Sequence, residues 1–305
     1  MQIESAMKQL ILYLSLALLL GGCASFQAKL DERTAKVADA QANLKKEEAT
    51  PEQEVQIGRE SASMLLGAAP LVQNKEMMQY INALGTWIAQ QTGRPDINWR
   101  FGILNSPNVN AFAAPDGYIF VTKGLIRRLN NEAELAGVIA HEIGHVIKRH
   151  YIVALRKKDE AGALGKLASA TVEVVGIKGT AVTPMFNLAQ NMYSSGLDKT
   201  DEYEADRLGV VYATRAGYDP YGLPRVLSVY AANSGGEGFE LLFSTHPSPQ
   251  DRLAELGKAM GNKFVAYEST GLNDSTAFKT IVTLAMAYPD PPKAKSAPAE
   301  KPRKK

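Results

Sequence analysis

The sequence has a single cysteine, Cys23, and only four histidines and two tryptophans in 305 residues, with a formal net charge of just +2. One cysteine excludes any disulfide within the chain, so stability has to come from an apolar core or a bound metal. No basic, aromatic-interleaved stretch interrupts the central part, which excludes nucleic-acid recognition of the usual electrostatic kind. No repeat recurs at a fixed period. The Gly- and Ala-rich stretch Tyr151 to Leu197 is broken by Lys166, Glu173 and Lys178 and is no membrane span. It reads as one or two helices with loose connections, in the manner of a lid. What is left, 45% hydrophobic and 22% charged, is ordinary globular composition. It suffices for one domain over residues 51–287, starting at Pro51.

The one long apolar run, Leu10 to Leu20, follows Lys8 and has the length of an export-signal core rather than a bilayer span. It ends in Leu20-Gly21-Gly22-Cys23, which resembles a bacterial lipobox. Residues 1–22 are therefore expected to be a lipoprotein signal peptide and Cys23 the lipidated residue, an anchor worth about 0.8 kcal/mol per buried methylene. Ala24 rather than Asp follows the cysteine, and in proteins this resembles that pattern favours sorting to the outer membrane. Residues 23–50, polar and alanine-rich, read as a stalk. Residues 288–305 hold five prolines and six Lys or Arg against Asp290 and Glu300, a net +4, and read as a disordered basic tail.

The chemistry lies in His141-Glu142-Ile143-Gly144-His145. On a helix, histidines at i and i+4 sit one turn apart and can meet one ion, while Glu142, about 100° round, reaches a water beside it. Zinc in hydrolytic sites takes such ligands and keeps one position open for water, with the carboxylate as general base. Asn131 to Arg149 supports a helix, with Asn131 and Glu134 as a capping box. Leu135, Val138, Ile139, Ile143, Val146 and Ile147 recur at helical spacing, a stripe to be buried with the histidines at its edge. Gly144 costs roughly 1 kcal/mol in helix propensity relative to Ala, which implies that something packs closely against it.

Upstream, Glu52 to Leu66 and Lys75 to Gln91 read as helices, with Trp87 and Ile88 on the apolar face of the second. Ile97 to Leu104 shows partial alternation. Val109 to Ala113 and Tyr118 to Thr122 are short apolar runs joined by Pro115-Asp116-Gly117, the signature of a hairpin. Asn110, Ala111, Phe112 and Ala113 suit an edge strand that binds substrate backbone by strand addition, although a core hairpin without a ligand fits the pattern equally. The expected class is α+β, mainly helical, with a small hairpin or sheet beside the active-site helix.

A zinc site needs a third protein ligand. His150 lies five residues past His145, roughly 140° round the helix from it, and joins the pair only if the helix breaks. The acidic run Asp201-Glu202-Tyr203-Glu204-Ala205-Asp206 leaves Glu202 and Glu204 both open. Glu202 shares a face with Asp206 at i+4, which suits Asp206 to hold the outer nitrogen of a ligand histidine. An acidic helix start explains Asp201 and Glu204 without a metal.

Together, His141-Glu142-Ile143-Gly144-His145, Glu202-Tyr203-Glu204-Ala205-Asp206-Arg207 and Thr245-His246-Pro247 with Arg252 resemble the gluzincin family of CAAX prenyl proteases and HtpX-type heat-shock peptidases. Among them, the lipoprotein start is most similar to periplasmic peptidases of the BepA and LoiP type. The resemblance implies one zinc per chain held by His141, His145 and Glu202, with Glu142 as catalytic base and Asp206 in support. His246 is then a transition-state stabiliser or a latent cap on the zinc, with Arg252 as its alternative or its structural support. The chain ends soon after Ala287, without the helical-repeat extension of BepA, which favours the LoiP-like reading. The function implied is a zinc endopeptidase at the periplasmic face of a bacterial membrane, acting on misfolded or misassembled envelope proteins. The rivals are a zinc-binding chaperone or scaffold for outer-membrane assembly and a cell-wall amidase.

Overall fold

A computed structural model describes residues 49–159, 197–232, 246, 248–267 and 271–291. The expected signal peptide, the lipidated Cys23, the stalk up to residue 48, the lid segment over 160–196 and the tail from 292 lie outside the described residues.

Helix α1 runs Pro51–Ala68 and α2 Lys75–Ala89. Asn74 opens α2, its side chain accepting from the Met77 amide at 3.0 Å. Met77, Ile81, Leu84 and Ile88 bury one face of α2 at the spacing of a helical stripe. Trp87 departs from the expectation: it is 51% exposed, because its indole N–H reaches out to the Ala216 carbonyl at 2.8 Å instead of joining that stripe.

Three strands follow, β1 Arg100–Leu104, β2 Ala111–Ala114 and β3 Tyr118–Thr122, in the order β1-β3-β2. β2 and β3 form the expected antiparallel hairpin, and β1 pairs parallel to β3. Asp116 and Gly117 both take positive φ, 61° and 80°, the backbone that a right-twisted hairpin needs and that Asp-Gly supplies at low cost. Arg100 ties the turn down, donating to the Asp116 carbonyl at 3.0 Å and stacking over Tyr118. β1 buries its last four residues in a row rather than alternating.

Thr122 closes β3 and caps the short helix α3, Lys123–Ile126, accepting from the Leu125 amide at 3.1 Å. Helix α4, Glu132–Ile147, carries the His-Glu-Ile-Gly-His run. Only half of the expected capping box forms. Asn131 accepts from the Glu134 amide at 3.0 Å, while the Glu134 carboxylate turns to the Asn130 amide at 2.7 Å. Nor is α4 amphipathic in place: every residue from Glu132 to Val146 is buried, histidines included. The sheet and four other helices surround it, so its polar face is covered as well as its apolar one.

Helix α5 is His150–Asp159, α6 Lys199–Arg215, α7 Gly222–Ala232, α8 Pro249–Met260 and α9 Thr276–Ala287. Glu52 onward forms one compact unit. Its packed contacts continue past Ala287. The fully buried Lys123 ammonium donates to Asn105 Oδ1 at 2.6 Å and to the Pro289 carbonyl at 2.8 Å, and pairs with Asp290 at 2.8 Å. No helix among the described residues is long and apolar enough to cross a membrane.

Small residues set the distances between the central helices. A Cβ on Gly144 would lie 3.3 Å from the Ala205 Cα and carbonyl oxygen of α6, the close neighbour its presence implied, and one on Gly209 would lie 3.1 Å from the His141 backbone. At Gly137 the neighbour is α7, with Leu223 N at 2.7 Å and Leu223 Cβ at 2.9 Å from an added methyl. Propensity alone favours Ala in a helix by about 1 kcal/mol. Gly137→Ala is nevertheless expected to destabilise the fold by about 1–3 kcal/mol, because backbone must move to admit the methyl. Urea unfolding checks this; an unchanged or higher midpoint would show that α7 draws back freely.

Candidate metal centre

All four histidines of the sequence, 141, 145, 150 and 246, converge on one buried cluster. α4 supplies His141 and His145, whose Nε2 atoms face each other at 3.0 Å. α6 crosses α4 where Gly144 meets Ala205, and this aims Glu202 at the pair, with Oε2 3.6 Å from His141 Nε2 and Oε1 3.5 Å from His145 Nε2. One turn on, Asp206 Oδ1 lies 2.9 Å from His141 Nδ1. His246 enters from the segment before α8, its Nδ1 3.1 Å from both Glu202 oxygens and its Nε2 3.6 Å from Glu142 Oε1. One donor atom from each of His141, His145, Glu202 and His246 falls within 4.8 Å of the others.

The acidic run therefore divides by helix face. Glu202 and Asp206 are buried at the histidines, whereas Glu204 is partly exposed and pairs with Lys148 at 2.6 Å. Asp201 completes a capping box with Asp198 at the start of α6. Arg252, buried on α8, grips Asp206 with two bonds, Nε to Oδ2 at 2.8 Å and Nη2 to Oδ1 at 2.6 Å, and reaches Glu202 Oε2 at 3.0 Å. The sequence offered Arg252 as an alternative to His246 or as its support; in the structure it holds the carboxylates of Asp206 and Glu202. Ala111 of β2, one of the two edge strands, lines a small cavity beside Glu142 with Leu125, Val138, Leu223, Val226, Leu227 and Tyr230. Asn110, Phe112 and Ala113 are buried around it.

The electrostatics suit a cation. Among the described residues three buried carboxylates, Glu142, Glu202 and Asp206, outnumber the buried cations beside them, Arg252 and a His246 imidazole that burial lowers but Glu202 and Glu142 raise above its ordinary value, so negative charge is left over. Burial holds His145 well below the ordinary imidazole range, reinforced by the positive charges around it, so it is a neutral donor. Burial alone pushes Glu202 up, but His246 and Arg252 more than offset that and keep it below the usual value. Glu142 goes the other way: burial raises it, and His246 and His141 recover only part. Glu142 Oε2 is buried without a hydrogen-bond partner among the described residues, as a group awaiting a further ligand would be. Imidazoles and carboxylates around unbalanced negative charge fit a divalent metal.

A metal-dependent hydrolase is the class of protein that this helix pair and donor set define. The model of peptidase family M48 matches residues 75–260, and the chain belongs to that family. It is 33% identical over 215 residues to the beta-barrel assembly-enhancing protease of Escherichia coli K12, covering 67% of this chain and 43% of that protein. The Yersinia pestis protein of the same name is 32% identical over 216 residues, with the same coverage. The mitochondrial metalloendopeptidase OMA1 of Arabidopsis thaliana is 31% identical over 163 residues, covering 53% of this chain and 32% of that protein. The chain thus spans less than half the length of these relatives.

One participant was set aside in the sequence. His150 touches His145, because the chain breaks after α4 where no glycine or proline announces it; Arg149 takes the left-handed turn, φ 56°. The scarcity of histidine was the only available signal.

Arg252→Leu would leave Asp206 and Glu202 buried without their counter-charge and should cost about 3–5 kcal/mol. Burial pushes Asp206 up, but Arg252 and His141 hold it far below the usual carboxylate range. A depressed folded-state pKa adds stability that is present above the unfolded value and lost as pH falls through the folded one. Thermal melting of metal-free protein should therefore show the Arg252→Leu deficit in full at neutral pH; equal melting temperatures would show that the ion network contributes nothing net.

Proposed function

We propose that this chain is a zinc-dependent endopeptidase, anchored through lipid on Cys23 at the periplasmic face of a bacterial outer membrane and acting on unfolded or misassembled envelope proteins. The observation that carries the catalytic part is the convergence of His141 and His145 with Glu202, beside a Glu142 carboxylate that burial has made more basic. The name of the bacterial relatives supports substrates among envelope proteins, and Leu20-Gly21-Gly22-Cys23 supports the anchor. Residues 1–22 are then the signal, 23–50 the stalk and 51–287 the peptidase domain, with the first residues of the 288–305 tail packed against it.

In this reading His141, His145 and Glu202 hold the metal, which when bound supplies Lewis acidity toward water and the scissile carbonyl. Glu142 takes the proton of the attacking water and returns it to the leaving amine. Asp206 keeps the proton of His141 on Nδ1, so that Nε2 is free to bind, and Arg252 keeps Asp206 charged. His246, within reach of both Glu142 and Glu202, donates to the developing oxyanion. Its place in the same donor cluster favours a second role, closing the site at rest. The cavity beside Glu142 is mostly apolar, with His141, His246 and Arg252 completing its wall, which suits a non-polar substrate side chain next to the bond to be cut. Ala111 brings β2, an edge strand of the sheet, to that cavity, which supports pairing of substrate backbone with residues 110–113.

Two substitutions test the assignment with unfolded casein as substrate and peptidoglycan as comparison. Glu142→Gln should keep one zinc per chain and lose about 10²–10⁴-fold in casein cleavage. Full activity would remove Glu142 from the role of base. Glu202→Ala should lower the zinc content itself; unchanged stoichiometry would move the third ligand elsewhere. Release of peptidoglycan fragments in place of casein cleavage would overturn the peptidase reading.

A further inference from the structure

α4 ends at Ile147, and Arg149 then takes a left-handed backbone, φ 56°, which a residue with a side chain adopts only at a steric cost. Its guanidinium meets Glu54 Oε2 at 3.0 Å. The turn brings His150, the first residue of α5, back over the end of α4. On a continuous helix this residue would point away from His145; here its Nδ1 lies 2.9 Å from His145 Nδ1. The other ring nitrogen, Nε2, is 3.2 Å from Glu204 Oε2 and 3.8 Å from Asp201 Oδ1. Glu204 is held in turn by Lys148 at 2.6 Å. The His150 ring is buried, and both of its nitrogens are engaged.

The direction of this chain follows from its two ends. His145 turns Nε2 toward His141 and Glu202. An imidazole that offers Nε2 to a metal keeps its proton on Nδ1. His145 Nδ1–H therefore donates to His150 Nδ1, and His150, protonated on Nε2, donates to the Glu204 carboxylate. His141 has its own backing in Asp206. Each of the two histidines on α4 is thus held from behind, one by a carboxylate directly and the other through a second imidazole.

We infer that His150 is a positioning residue for His145: with Glu204 behind it, it fixes the tautomer and ring orientation of that ligand, so that metal retention depends on a residue outside the donor set. The inference rests on the reading of His141, His145 and Glu202 as metal donors.

The test uses the full chain loaded with zinc, or with cobalt(II) as a spectroscopic probe, and compares wild type with His150→Leu, His150→Asn and Glu204→Ala. Zinc transfer to a chromogenic chelator and the cobalt visible absorption band are the readouts, with circular dichroism to establish folding. His150→Leu should hold zinc about 10- to 100-fold more weakly and shift the cobalt band, as loss of an outer partner does. His150→Asn, whose Oδ1 can accept where the imidazole Nδ1 does, should recover most of both. Glu204→Ala alters a side chain that is 38% exposed, so it spares the core, and should weaken retention in the same direction by less. Equal retention by wild type, His150→Leu and Glu204→Ala would overturn the inference. So would equal weakening by His150→Leu and His150→Asn, which marks packing rather than a hydrogen bond. If His150→Leu does not fold, Glu204→Ala decides: retention equal to wild type overturns the inference, and weakened retention with a shifted cobalt band supports it. A wild-type chain that takes up no zinc would instead overturn the metal reading, and this inference with it.

Discussion

The close crossing of α4 and α6 is the contact on which the rest of the centre depends. Gly144 against Ala205 and Gly209 against the His141 backbone let two helices approach with almost nothing between them. Only at that separation does a glutamate on α6 reach both imidazoles on α4, since its side chain spans a few ångströms and no loop adjusts the fit. The same crossing sets Asp206 behind His141. Larger residues at these positions would push the helices apart and carry the carboxylates out of range of both histidines together.

Crowding so many carboxylates into a buried space has an electrostatic cost that other parts of the chain relieve. α8 answers with Arg252, whose forked contacts satisfy Asp206 and touch Glu202, and His246 covers the remaining side of Glu202. The compensation is incomplete, and that incompleteness is the useful part. Negative charge left over in a dry site makes it receptive to a cation, while burial raises Glu142 toward the range of a working base. Stability and function draw on the same groups in opposite senses: a fully neutralised cluster would fold more readily and bind a metal less well.

Much of the fold was legible. The hairpin could be read because Asp116-Gly117 supplies two positive φ angles between short apolar runs, a local requirement met by local chemistry. The α2 stripe could be read from Met77, Ile81, Leu84 and Ile88, yet Trp87 was misplaced, since nothing nearby in sequence announces the Ala216 carbonyl that draws it outward. α4 was expected to bury one stripe with the histidines at its edge and is buried all round, because the elements that cover its other face come from far along the chain. For the site, His141, Glu142 and His145 stand out by spacing within one turn. Glu202 and Glu204 could be separated only by resemblance, as both sit on the same acidic turn.

The sequence by itself determined the donor types, their order and the helical spacing that puts a histidine pair and a carboxylate on one turn, because these depend on bonds and torsions within a few residues. Tertiary structure alone decided which acidic side chain faces the pair, that Arg252 supports carboxylates, and that His150 returns to His145 through a left-handed Arg149. Those outcomes depend on how closely separate helices pack and on which charges meet without water between them, and no local pattern encodes either quantity.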